Sequence, residues 1–522
     1  MFSMNATPLT LLLSALLLST KTSAEPVSGE ASSKSLQVTH NPYASLWNEN
    51  EEDIAAFLRP RWKTSKLANF RKRELSHYGE GLATGKNRSK RSRGKQCSSD
   101  NGGLIQDVID GTIHGLKHFI HHGWKHDEEW GVALMKAENS EMDNEFLVEV
   151  EFGTPKKRTK KQVLKMVFDT GSPDTWVYSP ACCYAEDHTF FDPSKSRTFS
   201  NRTVVDGKPT RAPDGTPGQK FDASYGSGST LGYMGIDTVS FSNERIQVEN
   251  QTIALATSLT ASRASRAMEG LMGLSAGIGS VQDGATTTPF EAMSKAGQLN
   301  QTYLSCTLVK ADRETGKNGG GQYVLGEIDS SRLKGEITWT PVRSAYFWGT
   351  YFDRMSIGDV VLSQPPATTA APIRYMIDTG SAVINLPSAM ARKANQQIQG
   401  SFYTNSSQVS QHWLVPCETG TVRYERSLPE TKRNKPLSIQ IEGTNFTVPV
   451  EDLVFYPNSP IPSKYTGGKK NLCYSAIQEG PEEISILGLT FIKNHVVVFD
   501  QGGQTLSNRR MGVGKRSDIR YD

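Results

Sequence analysis

One tetrapeptide occurs twice in this chain, and it limits the possible folds more than any other feature. Asp169-Thr170-Gly171-Ser172 and Asp378-Thr379-Gly380-Ser381 each follow a short apolar run, at 166–168 and at 375–377. An apolar pair and a glycine then follow each copy at a similar distance, as Leu271-Met272-Gly273 and as Ile486-Leu487-Gly488. A single copy would be an ordinary turn. Two copies, each with the same partner, predict two structurally related halves.

The chemistry of the repeat explains why two copies would be needed. If Asp169 and Asp378 meet across a pseudo-twofold axis, both cannot ionise cheaply, so they share one proton. One carboxyl group is then a base while the other is an acid, and together they can activate water and protonate a peptide carbonyl oxygen. The glycines allow a close backbone approach, and Ser172 and Ser381 can hydrogen-bond the carboxylates.

Composition favours a folded, β-rich chain. Of its 522 residues 21% are charged and 9% aromatic, which excludes general disorder, and 46 Gly and 25 Pro indicate many turns. The formal net charge is +4, from 58 Lys+Arg and 54 Asp+Glu. Residues 25–91 alone hold 12 basic and 8 acidic residues, so the remainder is near neutral. A nucleic-acid partner is therefore not expected.

The N-terminus has the features of a secretory signal peptide over residues 1–24. An apolar run at 9–18 precedes small residues that end at Ala24, and it is shorter than the ~20 residues that span a bilayer. An uncleaved anchor helix is the alternative. The polar C-terminus does not resemble a glycolipid-anchor signal. Secretion would make the Asn-x-Ser/Thr sequons available for glycosylation; they lie at Asn87, Asn201, Asn250, Asn300, Asn405 and Asn445.

Residues 25–130 are interpreted as a pro-segment. The dibasic pair Lys90-Arg91 suits a processing protease, although it could equally be part of a solvated charge run. Half of the ten histidines lie between His114 and His126. Three interpretations stay open for this cluster: a zinc site, a pH-sensitive element of the pro-segment, and a solvated helix.

Further segments, in the same order along the chain, resemble the pepsin-like aspartic endopeptidases, of the secreted fungal type. The resemblance covers about residues 143–515. It includes the strand 151–155 before the first motif, Trp176 after it, the apolar loops 269–274 and 486–488, and the closing strand 498–500. The segment 221–229 resembles the β-hairpin flap of that family, with Tyr225 as the flap tyrosine. In that family the flap tyrosine hydrogen-bonds the tryptophan that Trp176 matches, so the resemblance implies a bond between these two side chains.

The resemblance implies an all-β, bilobal fold with two pseudo-symmetric β-barrel lobes, here residues 131–305 and 306–522. It implies hydrolysis of proteins at acid pH by Asp169 and Asp378, with no metal or other cofactor. Expected partners are protein or peptide substrates and the enzyme's own pro-segment as inhibitor, and the protein is expected to be a monomer without a stable membrane anchor. The residues expected to position substrate or form the flap are Tyr225, Gly226, Ser227, Gly171, Gly380 and Thr379. Those expected to support the site are Ser172, Ser381 and Trp176.

Two features depart from the family pattern. Leu489 stands where the family usually has Asp after Ile-Leu-Gly, and local packing could differ there. The run 156–161, Lys-Lys-Arg-Thr-Lys-Lys, inserts charge before the first catalytic strand. It is interpreted as an exposed hairpin tip, with contact to an acidic substrate or to cell wall as the more specific alternative.

The six cysteines follow the family only in part. Cys417 and Cys473 match its C-terminal disulfide. Cys97, Cys182, Cys183 and Cys306 allow three connectivities, and a bond from Cys97 to Cys182 or Cys183 would keep a segment after Arg91 attached.

Two other functions compete with proteolysis. A catalytically inactive pepsin-like binding protein or inhibitor would have the same fold, but such proteins usually lose an Asp or Gly of the motif, and both copies here are complete. A structural cell-wall glycoprotein would account for the sequons and basic runs, but it does not explain the repeat.

Overall fold

The computed structural model describes residues 131–521, with gaps at 141–142, 183–187, 206–207, 212–217, 226–227, 261–266, 277–286, 314, 316, 318, 364–373, 407–408, 410–411, 457–458 and 503–505. The predicted signal peptide, the pro-segment with its histidine cluster, Cys97, Cys183, Gly226 and Ser227 lie outside the described residues. In the part that is described, no helix has the length and apolarity needed to cross a membrane.

Twenty-eight strands account for most of the regular structure in the described residues. Their bounds are β1 Ala133–Ser140, β2 Glu145–Phe152, β3 Gln162–Asp169, β4 Trp176–Tyr178, β5 Ser200–Val205, β6 Lys208–Arg211, β7 Lys220–Tyr225, β8 Gly228–Phe241, β9 Ile246–Leu259, β10 Gly270–Gly273, β11 Tyr303–Val309, β12 Gly320–Leu325, β13 Leu333–Pro341, β14 Gly349–Tyr351, β15 Arg354–Ile357, β16 Val360–Ser363, β17 Arg374–Ile377, β18 Ile384–Leu386, β19 Phe402–Tyr403, β20 Trp413–Pro416, β21 Leu437–Ile441, β22 Thr444–Val448, β23 Val454–Phe455, β24 Leu472–Ser475, β25 Ile477–Glu479, β26 Ser485–Leu487, β27 His495–Asp500 and β28 Arg510–Arg516.

Helices in the described residues are short. The α-helices are α1 Pro289–Lys295, α2 Ser388–Asn395, α3 Val422–Ser427 and α4 Leu489–Ile492, and the 3₁₀ helices are Pro193–Lys195, Glu430–Lys432, Val450–Leu453, Ser463–Tyr465 and Leu506–Asn508. Helix α1 shows why such a segment forms. Thr288 caps it by accepting a hydrogen bond from the Glu291 backbone N–H at 3.2 Å, and Pro289 occupies its first position. The all-β prediction is confirmed.

The strands form four sheets. The largest has the order β13-β28-β27-β11-β12-β1-β2-β3-β10-β4-β9-β8-β5-β6, with β7 paired to β8. The smaller sheets have the orders β14-β17-β26-β18-β25, β16-β15-β21-β22 and β19-β20-β24-β23. Strand β1 illustrates the local cause, since its side chains alternate between buried and exposed along ALMKAENS, with the period of two that a strand requires.

The same strand arrangement occurs around both copies of the tetrapeptide. In the first half β10 pairs in parallel with β3 and antiparallel with β4, which in turn pairs in parallel with β9. In the second half β26 pairs in parallel with β17 and antiparallel with β18, which pairs in parallel with β25. The two related halves predicted from the repeat are therefore present, and the bilobal fold is confirmed.

A shared run of strands joins the halves. Strand β11 pairs with β12 on one side and with β27 on the other, and β12 continues the sheet into β1 of the first half. Residue 305, the predicted border between the lobes, lies inside β11. That border and the closure of each lobe into a barrel stay predictions.

Two of the cysteine predictions concern described residues. Cys417 and Cys473 form a disulfide with Cα atoms 4.9 Å apart, which confirms that pair. Cys306 is a free, fully buried thiol in β11, so the three connectivities that would pair it with another of the four remaining cysteines are wrong. Burial raises the pKa of this thiol, which therefore stays protonated.

A buried ionic cluster links the two halves of the chain. The Lys493 ammonium lies 2.7 Å from Asp143 Oδ2 and 3.3 Å from Asp452 Oδ1, and Lys310 lies 2.9 Å from Asp452 Oδ2. Burial by itself would raise the pKa of Asp452, but the charges of Lys493 and Lys310 outweigh it and hold that pKa far below its ordinary value. The stabilisation from this lowered pKa is present above the pKa of an unfolded Asp and is lost only as the pH falls through the folded-state pKa.

Replacing Lys493 tests the cluster. We expect Lys493→Met to lower the free energy of unfolding by about 3–5 kcal/mol, because it leaves Asp143 without its cation. Denaturant unfolding at pH 5 measures this. Lys515→Met, at an exposed site, is the control and should change stability by less than about 0.5 kcal/mol. Equal stability of the two variants would show that the buried cluster contributes nothing net.

Candidate active site

Both repeated aspartates lie where a buried strand ends. Asp169 is the last residue of β3 and lies opposite Gly273 of β10. Asp378 follows β17 directly, and its backbone N–H donates to the Leu487 carbonyl at 3.1 Å. Because the flanking strands are apolar and buried, each aspartate is held at the edge of a core rather than on a mobile loop.

The first carboxylate is fixed by its own turn. The Gly171 backbone N–H donates to Asp169 Oδ1 at 2.8 Å, and the Ser172 hydroxyl donates to Asp169 Oδ2 at 2.5 Å. The predicted contact between Ser172 and the carboxylate is confirmed. Together the two donors fix the plane of the Asp169 carboxyl group.

The second carboxylate is held in the same way. The Gly380 N–H donates to Asp378 Oδ1 at 2.8 Å, and the Ser381 hydroxyl donates to Asp378 Oδ2 at 2.6 Å. The Ser381 contact is therefore also confirmed. Leu489, the departure from the family pattern, is buried at the start of α4, and its backbone N–H donates to the Ser381 carbonyl at 2.7 Å. An apolar side chain thus packs at this position without disturbing the turn.

The two glycines set how closely the turns approach. A methyl group at Gly171 would lie 2.5 Å from the Cγ of Asp378, and one at Gly380 would lie 2.4 Å from the Oδ1 of Asp169. Each glycine therefore leaves room for the carboxylate of the opposite half. Any side chain at either position would push the two carboxylates apart.

Two threonines join the turns, and residue-level reasoning from the sequence missed one of them. The Thr170 N–H donates to Thr379 Oγ1 and the Thr379 N–H donates to Thr170 Oγ1, both at 3.0 Å. Each hydroxyl also donates to a carbonyl of the other half, from Thr170 to Ile377 at 3.1 Å and from Thr379 to Phe168 at 2.6 Å. Thr379 is only 3% exposed, so its polar atoms bond within the protein and not to solvent. We call these four hydrogen bonds of Thr170 and Thr379 the threonine joint. The signal for Thr170 was the repeat itself, whose second residue is the same in both copies.

The electrostatics of the pair favour one shared proton. Asp169 is 5% exposed and Asp378 1%. Burial, together with the negative charge of Asp169, raises the pKa of Asp378 well above its ordinary value, against the opposing donors Ser381 and Gly380. The pair therefore retains a proton at a pH where an exposed Asp would have lost it.

The predicted flap is an antiparallel pair of strands. Strand β7 pairs with β8 in a register that sets Tyr225 opposite Gly228. The turn residues between them, Gly226 and Ser227, lie outside the described residues. Tyr225 packs against an apolar cluster that includes the fully buried Trp176. The hydrogen bond expected between these two side chains stays a prediction.

Trp348 is a second structural residue that the sequence did not indicate. Its indole N–H donates to the Leu274 carbonyl of the other half at 2.8 Å, and its ring contacts Phe290 and Phe499. Leu274 ends the apolar loop 269–274, and its backbone N–H donates to the Asp169 carbonyl at 2.8 Å, so the bond from Trp348 supports the first half from the second. No motif surrounds Trp348, and only the fold shows its role.

Among the residues that the structure describes, no group of three or more His, Cys, Asp or Glu side chains is placed to hold a metal ion.

Comparison with known proteins identifies the class to which this fold and site belong. The family model described as eukaryotic aspartyl protease matches residues 145–510. Among curated relatives, rhizopuspepsin of Rhizopus chinensis is 28% identical over 375 residues, which cover 71% of this chain and 80% of the relative. Gastricsin of Rattus norvegicus is 28% identical over 384 residues, which cover 71% of this chain and 81% of the relative. The chain belongs to the eukaryotic aspartyl protease family and is a pepsin-like aspartic endopeptidase.

The threonine joint generates a prediction about stability. Thr170→Val keeps the shape of the side chain but leaves the buried Thr379 N–H without its acceptor, so we expect a loss of about 1–3 kcal/mol in the free energy of unfolding. Thermal unfolding measures this. Thr170→Ser retains the hydroxyl and should recover most of the loss. A Val variant as stable as the Ser variant would contradict the joint.

Proposed function

We propose that this protein hydrolyses peptide bonds of proteins at acid pH, with Asp169 and Asp378 as a catalytic dyad. The observation that carries the proposal is the approach of the two buried carboxylates, each lying over the glycine of the opposite half. Membership of the family supports protein hydrolysis as the reaction. The residue assignment rests on the geometry.

In the proposed mechanism a water molecule lies between the two carboxyl groups. The ionised carboxylate takes a proton from this water as its oxygen attacks the carbonyl carbon, while the protonated carboxyl group donates its proton to the carbonyl oxygen. The carboxyl group that took the proton from water then donates it to the amide nitrogen and the C–N bond breaks. The other carboxylate takes back a hydroxyl proton as the new carboxylic acid forms, which restores the pair. The raised pKa of Asp378 favours that residue as the resting position of the proton, although the pair titrates as a unit.

We assign substrate positioning to the flap and to the turns. Tyr225, Gly226 and Ser227 would cover an extended peptide, and the backbone around Gly171, Gly380 and Thr379 would lie beneath it. Main-chain hydrogen bonds to such a peptide are sequence-independent, and side-chain pockets then supply preference. Closure of the flap would exclude water from the reacting bond. Ser172, Ser381 and Trp176 would hold this arrangement in place.

We also propose a secreted zymogen of the fungal type, with a signal peptide at 1–24 and an inhibitory pro-segment at 25–130. Exposure of four sequon asparagines supports glycosylation and therefore secretion: Asn250, Asn300, Asn405 and Asn445. A basic pro-segment can cover an acidic cleft at neutral pH and leave it as the carboxylates become protonated. The mature enzyme would be a monomer that acts outside the cell, in the cell wall or in the vacuole.

Asparagine variants test the dyad. We expect Asp169→Asn and Asp378→Asn each to reduce kcat/KM on a denatured protein at acid pH by at least about 10³-fold, since neither can complete the acid–base pair. Asp359→Asn removes an exposed carboxylate and should retain full activity. Circular dichroism checks that the variants fold. Substantial activity in either dyad variant would exclude the mechanism, and inhibition of the wild type by a pepstatin-type inhibitor would exclude an inactive binding protein.

The pH profile tests the shared proton. Activity should fall as the pH rises through the raised pKa of Asp378, because the acid partner is then lost. The Ser381 hydroxyl stabilises the ionised form of Asp378 and so lowers its pKa. Ser381→Ala should therefore move the alkaline limb of kcat/KM to higher pH, whereas Ser427→Ala, at an exposed site, should not. A shift to lower pH would contradict the assignment.

Processing tests the zymogen. N-terminal sequencing of the secreted protein, before and after acidification, should show new termini near Arg91 or within residues 127–144. Lys90→Gln combined with Arg91→Gln should block the first of these cleavages. A secreted, active protein that still begins at residue 25 would refute the pro-segment.

A further inference from the structure

The basic run at 156–161 forms an ordered, exposed loop. It connects β2 to β3, and its turn is closed by two hydrogen bonds to the Lys156 carbonyl, from the Thr159 N–H at 3.0 Å and from the Thr159 hydroxyl at 2.8 Å. Arg158 takes a positive φ of 71° at the tip. A left-handed backbone conformation is uncommon for a residue other than glycine. The loop therefore presents its side chains from a fixed backbone.

Most of these charges are not neutralised. Lys161 is paired, with Glu151 at 3.0 Å and with Glu244 at 2.7 Å. The other four cations are exposed and form no ion pair with any residue that the structure describes: Lys156, Lys157, Arg158 and Lys160. These four positive charges repel one another within one loop, and a bound anion would reduce that repulsion.

A second segment adds to the same surface. The Lys156 N–H donates to the Lys195 carbonyl at 3.0 Å, and the Arg197 N–H donates to the Thr154 carbonyl at 2.8 Å. Lys195 is paired with Asp192 at 3.2 Å, but Arg197 is exposed and has no ion pair within the described part of the chain. We call the five unpaired cations the basic patch: Lys156, Lys157, Arg158, Lys160 and Arg197.

The basic patch lies at the far end of the first catalytic strand. Strand β3 begins at Gln162, beside the loop, and ends at Asp169. At about 3.3 Å per residue these two ends are about 23 Å apart. A ligand on the patch therefore does not enter the space between the carboxylates, and the patch suits attachment of the enzyme rather than recognition of the bond to be cut.

We propose that the basic patch docks the protein on a polysaccharide that carries sulfate or phosphate groups. A linear chain with closely spaced anions can contact several of these cations at once, and arginine binds sulfate and phosphate oxygens in a bidentate manner. The run 156–161 has no aromatic residue to stack on bases and no apolar residue to enter a bilayer, which disfavours single-stranded nucleic acid and membrane. The protein's own residues 25–91 carry an excess of positive charge and would be repelled.

Binding to heparin, as the sulfated probe, and to a phosphate-bearing mannan, as the phosphorylated probe, tests the proposal on the full chain. The variant replaces four cations of the loop: Lys156→Gln, Lys157→Gln, Arg158→Gln and Lys160→Gln. At about 0.15 M salt we expect its dissociation constant for at least one probe to rise tenfold or more. Counterion release predicts that the slope of log K against log salt also decreases, by about 3. Cleavage of a short peptide should be unchanged, which separates this result from failure of the proposed proteolysis.

A matched control carries the same loss of charge elsewhere: Lys393→Gln, Lys432→Gln, Arg433→Gln and Lys470→Gln, all at exposed positions. It should bind both probes within about twofold of the wild type. The proposal is overturned if the control weakens as much as the loop variant, if the wild type binds neither probe, or if binding does not depend on salt. Equal retention of the protein by polyglutamate or by a DNA oligonucleotide of the same charge would overturn the choice of a polysaccharide.

Discussion

The structure depends on the contact between two identical turns, one from each half of the chain. Thr170 and Thr379 exchange backbone-to-hydroxyl bonds at 3.0 Å, and this exchange brings together two carboxylates that would otherwise repel each other. Such a contact is costly unless one carboxyl group keeps a proton, and burial of Asp378 beside Asp169 raises its pKa accordingly. The interaction that joins the halves thus also brings together the two carboxyl groups that the proposed mechanism requires.

The surrounding strands and Trp348 support this contact between the two turns. The strand arrangement around Asp169 is repeated around Asp378, so each turn is supported by an equivalent set of parallel and antiparallel neighbours. Trp348 reaches from the second half to the Leu274 carbonyl beneath the first turn. Rigid supports of this kind would keep donors and carboxylates in place, without reorganisation, during the proposed reaction.

The charged groups of the protein are arranged in a way that fits the acid pH proposed for its activity. The buried Lys493 cluster holds the pKa of Asp452 far below its usual range, so the ion pair between Lys493 and Asp452 keeps its charge in the acidic conditions proposed for catalysis. The Asp169–Asp378 pair depends on pH in the opposite direction, because it loses its shared proton as the pH rises. The exposed basic patch stands apart from both, at the other end of β3.

The sequence by itself determined the repeat, the two carboxylates and the β-rich class, because each depends on composition or on a motif with fixed spacing; the Cys417–Cys473 pair was implied only by the resemblance to a known family. It also indicated Ser172 and Ser381 correctly, since each lies three residues after its aspartate in the same turn, and each hydroxyl donates to that carboxylate. The tertiary structure decided what lies between the halves: the crossed bonds of Thr170, the support from Trp348, the free thiol of Cys306 and the ion pairs of Lys493. These depend on residues far apart in the chain that meet only after both halves have folded, and no local pattern records which side chains will face each other there.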